Sequence, residues 1–171
     1  MVATVTYIVR LSAPSDADAV SALLAASYST LLASRYEKQL LDRALPFMTK
    51  ANPTLLASGA FYVAQSGHGE LIGCGGWSLE RPGTAKIVRG EAHIRHFATH
   101  PGWTRRGVAR AIMNRCCMDA KARGVSELHC CSTFAAENFY KALGFKTVAG
   151  ANIPLDSQVS FPAFLMQHAL P

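Results

Sequence analysis

The sequence predicts an α+β fold, a mixed but mostly antiparallel sheet of about six to seven strands with helices on both faces. Three observations carry this expectation. Seven short segments read as strands, and Gly67, His68 and Gly69 supply hairpin turn chemistry between two of them. Between Ala92 and Cys131 a strand, a long amphipathic helix and a second strand follow one another, which implies a parallel neighbouring pair inside the sheet. The composition, 50% hydrophobic and 16% charged over 171 residues with a mean hydropathy of +0.14, suits a packed core and excludes a disordered or low-complexity chain. That length fits one domain spanning residues 1–171.

Tyr7 to Leu11 reads as a short strand, and Ser15 and Asp16 offer N-cap chemistry to a helix through Val20, Leu23 and Leu24. Leu31, Leu32, Tyr36, Leu40 and Leu41 continue at helical spacing until Pro46 is expected to break the run. Phe61 to Gln65 and Leu71 to Leu79 form the hairpin, the second strand weakened by Gly73, Gly75 and Gly76. Glu80 to Gly90 reads as a loop, because a β-like segment from Ala92 to Thr99 resumes directly after it. Val108, Ala109, Ile112, Met113, Cys116, Cys117 and Ala120 then make one apolar helical stripe. Gly124 ends it, Val125 to Cys131 reads as a buried strand, and Ala135 to Leu143 as a short helix with Gly144 as its left-handed cap. Strands from Phe145 and near Phe161 to His168 close the chain.

No segment approaches the roughly 18 consecutive apolar residues that a membrane span needs. Met1 to Leu11 lacks the cationic start and long apolar run of a leader, so the cytoplasm is the expected location. The five cysteines are odd in number, and Cys116-Cys117 and Cys130-Cys131 are adjacent pairs, a spacing suited neither to bridging nor to a Cys-x-x-Cys metal site. Reduced, buried thiols and no metal are expected. The net charge of +6 admits nucleic acid, an anionic surface or a polyphosphate cofactor as partner.

His100 to Arg110 decides among these. His100-Pro101-Gly102-Trp103-Thr104-Arg105-Arg106-Gly107-Val108-Ala109-Arg110 runs from the end of a strand, through a basic glycine-containing loop, into the amphipathic helix. A helix start presents unpaired amide hydrogens at a positive dipole end, and a diphosphate satisfies both. Gly107 and Ala109 allow close backbone approach. An ordinary turn with solvated arginines is the competing reading. Nucleic acid ranks below both, because no basic stripe with interleaved aromatics accompanies Arg105 and Arg106. Membrane and nucleic-acid partners are therefore not expected.

With these residues on the page the chain resembles the GNAT family, the Gcn5-related N-acetyltransferases. The family's acyl-CoA signature, Gln/Arg-x-x-Gly-x-Gly/Ala after a strand ending near a proline, corresponds to Phe97-Ala98-Thr99-His100-Pro101 followed by Thr104-Arg105-Arg106-Gly107-Val108-Ala109. Downstream, Ser132-Thr133-Phe134 through Asn138-Phe139-Tyr140 to Gly144-Phe145 matches the family's second half in order and spacing. The match is close from about Ala92 to Phe145. Thr104 departs from the usual Gln or Arg and is expected to cap the helix instead, and Thr133 stands where many members carry an Asn contacting the cofactor arm.

The resemblance implies a splayed parallel pair in mid-sheet, acetyl-CoA as cosubstrate without a metal, an amine acceptor more often small than protein, and a homodimer as an allowed assembly. It places the cofactor on Phe97, Ala98, Thr99, Thr104, Arg105, Arg106, Gly107, Val108, Ala109, Arg110, Thr133, Ala136 and Phe139. It makes Tyr140 the candidate acid for the leaving thiolate; packing beside Phe139 is its competing reading. Strand alternation sets Glu91, His93, Arg95 and Phe97 on one face and Ala92, Ile94, His96 and Ala98 on the other. Glu91 and His93 are thus alternative bases for the amine, and His96 reads as structural. Arg95 suits an acceptor that also carries a carboxylate, and Trp77 is a candidate pocket wall, with core packing as its favoured competing reading. The expected function is direct acetyl transfer from acetyl-CoA to a primary amine; a non-catalytic acyl-CoA sensor on the same fold is the alternative.

Overall fold

The computed structural model describes residues 6–171. The reading of Met1 to Leu11 as leader-free includes residues 1–5, which lie outside the described residues. In chain order the elements are β1 (Tyr7–Leu11), α1 (Ala17–Leu31), α2 (Lys38–Met48), α3 (Pro53–Leu56), β2 (Phe61–Ser66), β3 (Leu71–Ser78) and β4 (Glu91–Thr99). Then come α4 (Val108–Ala122), β5 (Glu127–Ser132), α5 (Glu137–Ala142), β6 (Lys146–Pro154) and β7 (Ser160–Ala169). The strands make one sheet in the order β1-β2-β3-β4-β5-β7-β6. Every neighbouring pair is antiparallel except β4–β5, which is parallel over Glu91–His93 against Glu127–His129 and then parts. The mixed sheet and the splayed pair are as expected.

Helices cover both faces. On one, Val108, Ile112, Met113 and Cys116 of α4 pack with Ile72, Ala92, Ile94, Leu128, Cys130 and Met166. On the other, Val20, Leu23 and Leu24 of α1 meet Val63, Leu71, Cys74 and Ala98. The β3 glycines serve this packing: a Cβ on Gly73 would stand 2.6 Å from Val108 Cγ1, and one on Gly75 would stand 2.5 Å from the Phe97 ring. Their absence of side chains lets α4 and Phe97 lie directly on the strand. All five cysteines are free; Cys74, Cys116 and Cys130 are buried.

Several expectations need correction. The helical periodicity from Leu31 to Leu41 is interrupted by a turn before α2; Leu32 and Leu41 keep a common phase because both bury against Val159 and Phe161. Pro46 lies inside α2 rather than ending it, and the Thr49 N–H donates to the Leu45 carbonyl, closing the helix beyond it. Asp16 does not cap α1 with its side chain: the carboxylate accepts the Ala13 N–H at 2.8 Å, closing the turn before the helix, and pairs with Arg10 at 2.9 Å. The short α3 was not anticipated, although Asn52-Pro53 is a start signal, and Asn52 Oδ1 accepts the Thr54 and Leu55 amides.

Strand alternation fails in β4. Cys74 pairs with Ala98 but Gly76 with Arg95, so Gly75 opposes both His96 and Phe97, and His96 takes φ +50°. This bulge reverses the faces beyond it. Phe97 joins Ala92 and Ile94 on the α4 side, whereas Ala98 joins the α1 side, where Glu91, His93 and Arg95 also point.

Candidate active site

The loop from Pro101 to Gly107 prepares the start of α4. Arg105 and Gly107 both adopt left-handed backbone, φ +60° and +81°, turning successive amides toward one side. The backbone N–H groups of Arg105 through Arg110 have no partner among the described residues, and the Ala111 N–H is the first to be satisfied, by the Gly107 carbonyl. A Cβ at Gly107 would meet nothing within 4 Å, so the space before these amides is open. The Arg106 guanidinium lies 5.2 Å from the Trp103 ring centroid, leaving its edge toward solvent. Val108 is buried against Gly73 and can offer only its amide. Thr104 does not cap α4: Gly107 occupies that position, and the Thr104 hydroxyl donates to the Pro101 carbonyl at 3.3 Å. The donor set fits a diphosphate.

Where β4 and β5 part, two tyrosines approach from opposite faces. Tyr140 on α5 is buried in the α4-side core, its ring edge-on to Phe139 and Phe145 at 5.1 and 5.3 Å. Burial holds its phenol well above the usual pKa, with Cys130 and Tyr28 as the nearest electrostatic partners. It therefore stays protonated at neutral pH. Ala136 and Phe139 pack beside it as part of the same wall. From the α1 side the Tyr28 hydroxyl donates to the Phe97 carbonyl at 3.1 Å, fixing the backbone just after the bulge. Sequence reasoning passed over Tyr28, since a tyrosine within an apolar helix carries no motif.

On the α1 side of the cleft lies a small cavity of about 140 Å³, lined by Tyr28, Met48, Cys131, Thr133, Ile153, Leu155, Phe161 and Ala163. Tyr36 braces it: its hydroxyl donates to the Pro162 carbonyl, accepts the Phe134 N–H, and its ring stacks on Phe134 at 5.0 Å. The Asn-like role expected of Thr133 thus falls on a residue that faces this cavity. Arg95 on β4 is half-buried and donates to Ser78 Oγ at 2.9 Å. Burial lowers the His93 pKa, and His129 and Arg81 add to the effect. Glu91 and His93 share this face, as expected, together with His129 from β5, which sequence reasoning did not single out. Burial pushes the His96 pKa down to about 4. Trp77 takes its core-packing reading and not the pocket-wall one: it is 2% exposed in the α4-side core, its indole N–H bonded to Asp119 Oδ2 at 3.2 Å and covered by Arg123. Gly73 and Gly75 of β3 face the same way, and Trp77 follows them at the same spacing, so it lines no acceptor pocket.

A sheet parted at one parallel pair, with an amide-lined basic loop feeding the helix beside the gap, defines an acetyltransferase architecture. A family model described as the acetyltransferase (GNAT) domain matches residues 57–147, just over half of the chain, and the protein belongs to that family. No curated protein sequence matches it. Among solved structures, the PaiA N-acetyltransferase of Thermoplasma acidophilum in complex with coenzyme A superposes with a TM-score of 0.70 at 15% identity, covering 96% of this chain and 99% of that one. A GCN5-related N-acetyltransferase from Rhodopseudomonas palustris gives 0.74 at 17% identity, covering 99% and 98%. N-acetylglutamate synthase from Neisseria gonorrhoeae, complexed with coenzyme A and N-acetyl-glutamate, gives 0.62 at 15% identity, covering 97% of this chain and 35% of that one.

Proposed function

We propose that this protein is an acetyl-CoA-dependent N-acetyltransferase in which residues 1–171 act as one domain, transferring the acetyl group directly to a primary amine of a small acceptor. The observation that carries the proposal is the run of unpartnered amides from Arg105 to Arg110 beside the β4–β5 gap. Acetyl-CoA supplies the acyl group: the amine nitrogen bonds to the carbonyl carbon as the carbon–sulfur bond breaks. The amides of Arg105 to Arg110 and the guanidinium of Arg106 bind the diphosphate; the backbone of Phe97, Ala98 and Thr99, unpaired toward β5, holds the pantetheine arm and the thioester. Ala136 and Phe139 wall the arm, and Thr133 borders it from the acceptor side. Glu91 or His93 takes the proton that the amine loses, and Tyr140 returns one to the departing sulfur. Arg95 reads an anionic group on the acceptor.

The free, mostly buried thiols fit a reducing compartment, the cytoplasm, and no helix among the described residues is long and apolar enough to cross a membrane. A homodimer is tested by light scattering. The deciding experiment mixes acetyl-CoA with a panel of amines, amino acids and peptides and follows acetylated product and free CoA. Turnover on an amino acid or other small amine is expected. Tight CoA binding with no product on any acceptor would instead favour the acyl-CoA sensor. A comparison of Glu91→Gln with His93→Ala identifies the base as the variant with the larger loss of turnover.

A further inference from the structure

The first three residues of the β4–β5 parallel pair carry a cluster that acetyl transfer does not account for. Parallel register sets Glu91 opposite Glu127 and His93 opposite His129, and all four side chains lie on the face away from α4. One donor atom from each of Glu91, Glu127 and His129 falls within 4.8 Å of the others. His129 Nε2 stands 2.7 Å from Glu127 Oε1 and 3.7 Å from Glu91 Oε1. Yet Nε2 makes no hydrogen bond, and Glu91 Oε2 is buried with none either. Glu127 and His129 form an ion pair when the imidazole is protonated, and a bound cation can take the place of that proton when it is neutral. Beside the cluster His93, 7% exposed and without a hydrogen-bond partner among the described residues, sets its ring centroid 5.5 Å from that of His129, its nitrogens outside the group of three donors.

These spacings bracket those around one small cation. Around a tetrahedral zinc with ligand bonds near 2.0–2.1 Å, neighbouring donors stand about 3.3 Å apart. Two carboxylates neutralise a divalent charge, and imidazole nitrogen selects a transition ion over magnesium or calcium, which prefer oxygen. The cysteine spacings that argue against a metal do not bear on this cluster.

We propose that Glu91, Glu127 and His129 form a binding site for a divalent transition-metal ion such as zinc, with the fourth position open to solvent, and that occupancy blocks acetyl transfer. The blocking role rests on the reading above, because the ion would occupy one candidate base, Glu91, and place a positive charge beside the other, His93; the site itself does not.

The test uses the full chain, stripped with a chelator. Zinc affinity is measured by competition with a chromophoric chelator, and cobalt(II) is added as a spectroscopic probe. One equivalent of zinc and an intense four-coordinate cobalt spectrum without thiolate charge-transfer bands are expected. Glu127→Gln and His129→Asn should each weaken zinc by at least about tenfold, and Cys131→Ser should leave affinity unchanged. Melting curves check each variant; if His129→Asn does not fold, Glu127→Gln, at the partly exposed edge, decides. Absent stoichiometric binding, undiminished affinity in the folded variants, or sulfur-to-cobalt bands would overturn the site. Acetylated product is then followed against free zinc: inhibition with a midpoint at the measured dissociation constant, relieved by chelator and shifted in Glu127→Gln, supports the block, and zinc binding without inhibition overturns it. A protein that binds zinc but acetylates nothing would count against the transferase reading and leave the metal site standing.

Discussion

Gly73→Ala tests whether the contact between β3 and α4 positions the diphosphate loop. The added Cβ would lie 2.6 Å from Val108 Cγ1 and 3.1 Å from Ile112 Cδ1. Carbon atoms prefer about 3.5–4.0 Å, so the first turn of α4 must move by about 1 Å. Overpacking of this size costs about 1–3 kcal/mol, partly offset by the roughly 0.4–1 kcal/mol that alanine gains by restricting the unfolded chain. A net loss of about 1–2 kcal/mol should lower the melting temperature by about 2–8 °C at this chain length. The same movement carries the Val108, Ala109 and Arg110 amides out of hydrogen-bonding range of a bound phosphate, and CoA affinity measured calorimetrically should fall by about tenfold or more. Val108→Ala removes the clashing methyl but, at 1% exposure, costs about 1–2 kcal/mol alone. In the double variant part of the two losses should cancel, a coupling of about 1 kcal/mol or more, with CoA affinity recovering. Wild-type melting and CoA binding in Gly73→Ala, or strictly additive losses in the double variant, would refute this account of how α4 is seated.

Three further outcomes are expected. Tyr140→Phe keeps the ring contacts with Phe139 and Phe145, so melting temperature and CoA affinity should barely change while turnover falls by about 10²-fold or more; stopped-flow product formation measures it, and retained turnover would leave Tyr140 a packing residue. Arg95→Ala should raise the Michaelis constant for acceptors bearing a carboxylate and spare neutral amines; equal effects on both remove the anion-reading role. Asp16, hydrogen-bonded by Arg10, has its carboxyl pKa lowered by folding. Protons therefore bind the unfolded chain first, and the stability from this pair is fully present above about pH 4 and lost as pH falls through the folded value. Urea denaturation from pH 6 to pH 2 should show Asp16→Asn losing less stability than wild type over that window.

The local signals that could be read along the chain belong to elements whose side chains report their own environment. The stripe from Val108 to Ala120 marks α4 because one face of a helix is buried for its whole length, and Gly107 and Gly144 mark backbone that only glycine takes up readily. Pro46 misled because a proline near the last turn removes a single hydrogen bond, which the contacts of Leu41 and Ala44 outweigh. Trp77 stayed open between pocket wall and core because an aromatic on a central strand looks the same whether it faces a cavity or a helix, and here Asp119 of α4 and Arg123 at its end claim it for the core.

By itself, then, the sequence determined the order of elements, the basic glycine loop at the head of α4 and the family to which both halves of the motif point, since each depends on residues close together in the chain. Only the tertiary structure decided which face of β4 meets which layer. One extra residue opposite Gly75 sends Phe97 to the α4 side and leaves Ala98 on the side of His93 and Arg95, and no period-two pattern can register a bulge set by a neighbouring strand. It also decided the company of Glu91 and His93. Glu127 and His129 lie more than thirty residues further along and reach them through the parallel register of β4 and β5, a pairing that α4 imposes by its length and packing and that sequence spacing does not display.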